Sequence, residues 1–429
     1  MTRRSRQWTA RHDRPLNLSR DAFRHLAAAL GLALLTSAVH ADWSLQDCNF
    51  KPEDHFVINT WTPAEGLSVT MQSGKLATFS TRDILALTSG LKPVSDPASR
   101  GWRLALRNGD VLYGNAMGLS GKSLLFKIPE LGTLAVPLKR VSTLGNVAWG
   151  AASTGESRKR VPVVPDHDLV MFKETGDRLE GFVTGIDDEK LELTTDAGGV
   201  QAVTPISLLK IDAIIFGGAK PPREIPQLSV RLSLRSGSVY TVPLEGQENP
   251  FTWTLSKVTV KDAAGKEHST NSDQIVSAEV LGGRIVFLPD LDFATEEQSS
   301  FLGTAWPAQF NRNILGQPLR VARTTYPRGI GVHTKSTLVY QLDGSFDTLA
   351  LRVGLDDSAA PLGEAKASIV LDGKTLWQSG DKPLQPGAIT DELALPIKGG
   401  KRLELRADPT DRLDVQGRVD WIGVALRRQ

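Results

Sequence analysis

The sequence predicts an all-β chain: a row of small, strongly bent barrels followed by a two-layer β-sandwich. Three observations predict it. Beyond residue 41 no stretch sustains a helical period, and short alternating runs such as WRLALR (102–107), RLEGFVTGI (178–186) and KLELTT (190–195) stand in its place. Gly, Asn and Asp turn signals separate these runs about every 8–12 residues, the spacing of all-β folds. One glycine pattern also occurs twice. Gly109-Asp110 is followed by Gly114 and Gly132, and Gly176-Asp177 by Gly181 and Gly199, so the offsets of 5 and 23 repeat unchanged. Each glycine is expected at a strand end, where positive φ or a tight bend is needed.

The first 41 residues stand apart. MTRRSRQWTARHDRPLNLSRDAFRH carries seven arginines against Asp13 and Asp21, and an apolar run from Leu26 to Leu35 leads to TSAVHA. A basic start, a short apolar core and small residues at Val39 and Ala41 make a secretory leader cleaved after Ala41. That core is too short for a membrane-spanning helix, which needs about 20 apolar residues. Arg3-Arg4 hints at a twin-arginine signal, although Arg6 stands where an apolar residue is wanted. The expected location is secreted or periplasmic.

The leader carries a net charge of +5, so the remainder carries −3 where the whole chain carries +2. A slightly acidic mature chain offers no field for nucleic acid. The lone cysteine, Cys48, cannot close an internal disulfide, so about 390 residues must build two or three domains on apolar cores.

A small barrel-repeat region is expected over 42–150, with a second repeat over 166–217 and a degenerate third over 228–284 around Gly237-Ser238. LSVTMQSGKLATFSTRDILAL (67–87) matches only the second half of the unit, and VRLSLRSGSVYTVPL (230–244) is the clearest hairpin. These units resemble Sm-like or SH3-like small barrels. Linkers at 150–165 and 217–227 are rich in turn formers and proline, and Arg158-Lys159-Arg160 reads as part of a solvated linker.

From residue 285 the texture changes. Gly329-Ile330-Gly331-Val332-His333, the run Val353-Gly354-Leu355-Asp356-Asp357, the turn Leu371-Asp372-Gly373-Lys374 and Asp420-Trp421 follow in order. This order resembles the NPCBM family over 285–429. The resemblance implies a jelly-roll β-sandwich, related to galactose-binding-like domains, that binds sugars without cleaving them. GRVDW departs from the family's histidine-containing segment before Asp420, which puts a histidine contact at that end in doubt. The residues alone support two packed sheets, with TLVYQL, TLALRV, ASIVLD and RLELRA as period-2 strands.

A sugar site needs a flat apolar platform and fixed polar groups at its edge. Trp306, Tyr326, Trp377 and Trp421 are the candidate platforms; Arg328, His333, Arg352, Asp356, Asp357, Asp408 and Asp420 are the candidate polar groups. Each has a plain structural alternative. Trp421 lies in an alternating strand and reads first as core, Asp357 as a loop cap or a ligand of a structural calcium, and His333 as a buried, hydrogen-bonded histidine. Its flanking glycines permit a close backbone approach that a sandwich corner needs as much as a ligand does.

Catalytic signatures do not emerge. His55, His167, His268 and His333 are too far apart for short-spaced zinc motifs, GLSGK (118–122) lacks the nucleophile-elbow spacing, and no helix follows GIGVHT. Asp187-Asp188-Glu189 falls inside a repeat turn. A glycosidase normally needs a domain of some 250 residues, for which the small repeats leave no room. The chain is expected not to be an enzyme and to need no cofactor, structural calcium aside. Three roles fit: a glycan- or polysaccharide-binding protein with barrels as spacers, an adhesive envelope protein that binds protein partners, or a non-catalytic subunit of a hydrolase. No nucleic acid and no transmembrane span are expected.

Overall fold

The computed structural model describes residues 43–47, 52–93, 101–146, 166–197, 200–218, 226–299, 306–380, 382–411 and 415–428. The leader 1–41, Cys48, Gly199, the linker with Arg158-Lys159-Arg160 and the greater part of 217–227 lie outside the described residues.

Strand pairing divides residues 43–281 into four units of one plan, 43–89, 102–146, 168–215 and 229–281. In each, successive strands form an antiparallel meander, a 3₁₀ turn precedes the fifth strand, and that strand returns to pair with the first. The turns are Thr81–Asp83, Leu138–Arg140, Leu208–Lys210 and Ser272–Gln274. The sequence pattern revealed two full copies, half of another and a degenerate one. The half-copy at 67–87 belongs to a complete unit whose first strand is Trp43–Asp47. In the fourth unit the second strand is split into Val239–Pro243 and Phe251–Thr254 by an insertion bounded by two prolines.

The repeated glycines have two jobs. Gly109, Gly132 and Gly176 take positive φ at turns, as expected. Gly114 and Gly181 sit inside the strands Val111–Ser120 and Arg178–Ile186 instead. A Cβ on Gly181 would stand 2.6 Å from the Thr194 carbonyl oxygen, and one on Gly114 would strike the Lys127 carbonyl. Both therefore let the long second strand press onto the third at the point where it bends. A register shift follows two or three residues later in each, at Ala116/Gly118 and Val183/Gly185.

The four units share one continuous hydrogen-bonded sheet of 21 strands. Fifth strands pair with fifth strands: Ile84–Ser89 with Ile275–Leu281, and Val141–Asn146 with Ile211–Ile215. The first unit thus joins the fourth, and the second joins the third. Between the first and fourth units Trp61 and Trp253, both fully buried, stack with centroids 6.2 Å apart, and Trp43 meets Trp253 edge-on at 5.0 Å. Arg107 of the second unit donates to the carbonyls of Lys139, Phe216, Gly217 and Gly218, which ties down the exit of the third.

Residues 285–428 form two antiparallel sheets face to face. One runs Gln309–Phe310, Gly329–His333, Arg418–Arg427, Thr348–Leu355, Leu393–Pro396, with Ile285–Phe287 beside Arg418–Arg427. The other runs Thr295–Gln298, Ser336–Gln341, Arg402–Asp408, Lys366–Leu371, Lys374–Gln378. Successive long strands alternate between the sheets, the jelly-roll arrangement. The core between them includes Trp421, Tyr340, Phe346 and Leu405. Asp372 and Gly373 take positive φ in the expected two-residue hairpin. The sandwich docks on the 21-stranded sheet through Leu85, Ile285 and Ala425, and through Arg428, whose Nε donates to Gly283 O at 3.0 Å.

Candidate functional site

The strand Gly329–His333 owes its position to its glycines. A Cβ on Gly331 would stand 2.6 Å from the backbone of Asn313, and one on Gly329 would strike the Trp421 carbonyl. The glycines around His333 therefore serve close strand packing. That packing carries His333 to the end of the sheet, directly across from Arg418. Thr334 N then donates to Gly417 O at 2.8 Å, locking the turn after His333 onto the segment before Arg418.

Three side chains gather at this end. The Trp306 indole lies nearly parallel to the His333 imidazole, with centroids 5.7 Å apart at 19°, and keeps 38% exposure. Arg418 is half-buried and donates to the Ser358 carbonyl at 2.7 Å, which fixes its guanidinium beside the 356–358 turn. An exposed aromatic face next to an imidazole and a guanidinium can stack on the apolar face of a sugar ring and hydrogen-bond its hydroxyls. Trp306 and His333 were both legible as candidates. Arg418 was not, although it stands inside the GRVDW departure that flagged this edge.

The carboxylates lie beneath. Asp356 accepts from Ser358 N at 2.9 Å, from the Ser358 hydroxyl and from Asn313 Nδ2 at 3.1 Å. Burial alone would raise its pKa, but these donors outweigh it and hold the group below the usual carboxylate range. Its neighbour Asp420 goes the other way. Burial first, then the charge of Asp356, push Asp420 up to about 9, so it stays protonated near neutrality. Asp356 and Asp420 are each 1% exposed and Trp421 is 0% exposed. The structure thus places these three beneath the surface: Asp356 ties the Asn313 and Arg320 segment to the Ser358 turn, and Trp421 packs in the sandwich core. Asp357 accepts from Arg323 N at 3.0 Å and faces Arg320 Nε at 3.3 Å, the loop-tying alternative. Among the described residues no group of three or more His, Cys, Asp or Glu is placed to hold a metal ion.

The remaining candidates lie elsewhere. Tyr326, Arg328 and Arg352 line a cleft of about 450 Å³ on the outer face of the six-stranded sheet. Trp377 is half-buried on the edge strand Lys374–Gln378 and packs against the core. Asp408 is exposed at the end of Arg402–Asp408.

Residues 284–427 match the NPCBM/NEW2 domain. The NPCBM/NEW2 region coincides with the sandwich and begins at the strand that docks it on the 21-stranded sheet. A curated protein of Renibacterium salmoninarum, "Putative endo-alpha-N-acetylgalactosaminidase", is 27% identical over 106 residues, a quarter (25%) of this chain. The chain spans 7% of that protein's length. Among solved structures, CBM51 from Clostridium perfringens GH95, in complex with methyl-galactose, is 21% identical and covers 33% of this chain and 99% of its own, at a TM-score of 0.30. CBM51-2 with GlcNAc and the INT domains of Clostridium perfringens ZmpB is 17% identical and covers 44% of each chain, at a TM-score of 0.31. No helix among the described residues is long and apolar enough to cross a membrane.

Proposed function

We propose that the chain is an exported, non-catalytic carbohydrate-binding protein that holds a glycan at the Trp306–His333–Arg418 end of its NPCBM/NEW2 region. The observation that carries this reading is the part-exposed indole of Trp306, held parallel to His333 in place of a core position. The four-unit sheet serves as a rigid spacer of SH3-like barrels and holds the sandwich away from whatever the barrels contact. The basic, apolar, small-residue leader supports export.

A glycan-array screen of the full mature chain, with methyl-galactose and GlcNAc among the probes, tests the proposal. Binding to at least one glycan class supports it. A folded chain that binds none shifts the role to an envelope protein with protein partners.

A further inference from the structure

The cleft that contains Tyr326, Arg328 and Arg352 is not a feature of the sandwich alone. Its floor is the outer face of the six-stranded sheet, at Ala350 and Ile422. Its far wall comes from the 21-stranded sheet: Gln46 and Ala86 of the first unit and Glu279 of the fourth. Arg328 forms an ion pair across the junction with Glu279, pairs within the sandwich with Asp290 at 2.8 Å, and lies over the Phe287 ring at 4.4 Å. The Arg328–Glu279 pair thus links wall to floor, and about 450 Å³ of space lies between them. A volume in the range of ordinary ligand pockets accommodates one or two sugar rings.

The charges in the lining are unequal. Arg328 is engaged as described, and Arg427 is engaged by Glu392 at 2.9 Å. Arg352 is exposed on Thr348–Leu355 and makes no ion pair among the described residues. Its forked guanidinium suits a carboxylate. Tyr326 and Ile422 supply an apolar surface, while Gln46 and Glu392 can exchange hydrogen bonds with hydroxyls. The walls favour a sugar over a peptide. Thr348–Leu355, the strand that carries Arg352, is paired on both sides, so a peptide backbone finds no free edge there.

We infer that this junction cleft is a second binding site, separate from the Trp306 end, that takes a carboxylate-bearing sugar against Arg352. Calorimetric titration of the full mature chain with digalacturonate, with the neutral digalactose and with the tripeptide Ala-Ala-Ala tests it. Digalacturonate should bind about tenfold more tightly than digalactose, the effect of one charge-assisted contact. Arg352→Gln, at an exposed position, should remove that preference without moving the melting temperature. Trp306→Ala should still bind digalacturonate, which separates the two sites. The inference is overturned if digalacturonate does not bind, if Arg352→Gln keeps the preference, if Trp306→Ala loses it, or if the tripeptide binds more tightly.

Discussion

Replacing Asp420 by asparagine should make the sandwich more stable at alkaline pH, by an amount that grows with pH. In the native state burial and Asp356 lift the Asp420 carboxyl to about 9 from its ordinary 3.8. An unfolded chain releases that proton near pH 4, whereas the native chain keeps it until about 9. Across that window the unfolded state binds fewer protons, so stability falls as pH rises. The limiting slope is about 1.4 kcal/mol per pH unit. Between pH 5 and pH 8 this single group therefore costs up to about 4 kcal/mol. Asp356 contributes oppositely and outside this window, because its lowered pKa matters only as pH falls through the acid range. The amide introduced by Asp420→Asn would have no proton to retain. For a domain of this size each kcal/mol moves the melting temperature by about 2–4 °C. The advantage of Asp420→Asn over wild type should thus widen by up to about 8–16 °C from pH 5 to pH 8. Thermal unfolding of both proteins at pH 5, 6.5 and 8 measures it. A difference that stays constant across the series would refute a neutral buried Asp420.

Three further outcomes concern the repeat units of 43–281. Gly181→Ala forces a methyl group against Thr194 O and the Leu193 side chain, and should destabilise the chain by about 1–3 kcal/mol in urea unfolding. An exposed turn glycine such as Gly74, whose Cβ would meet nothing, is held only by its φ of 80° and should cost less when changed to Asn. Arg107→Ala strips four carbonyls of their shared donor and should speed amide exchange along Ile211–Ile215 and Val141–Asn146, leaving the sandwich strands unchanged.

What the sequence revealed depended on whether a structural demand fell on a distinctive residue. The bend of the second strand demands glycine, so Gly114 and Gly181 exposed the repeat at once. The first unit has no Gly-Asp turn in that place: its first and second strands are joined through 48–51, and the matching bend, at the register shift between Ile58 and Thr60, is made without glycine. The fourth unit was blurred by its insertion between Pro243 and Pro250. Fifth-strand pairing left no mark, since Ile84–Ser89 and Ile275–Leu281 read like any half-buried strands although 186 residues separate Ser89 from Ile275, whose carbonyl accepts its hydroxyl. The site followed the same rule. Trp306 and His333 are rare residue types and stood out. Arg418 joins them only through strand register, and Asp420 and Trp421 resembled site residues because a buried acid and a buried indole look no different in one dimension from exposed ones.

The central claim is that Trp306 forms a sugar platform beside His333 and Arg418. Its most direct test is calorimetric titration of the full mature chain and of Trp306→Ala with the strongest glycan from the array. Stacking on an exposed indole should contribute enough that the variant binds at least about tenfold more weakly with its melting temperature unchanged, because Trp306 lies outside the core. Undiminished binding by a folded Trp306→Ala would contradict the account and place the glycan elsewhere on the sandwich.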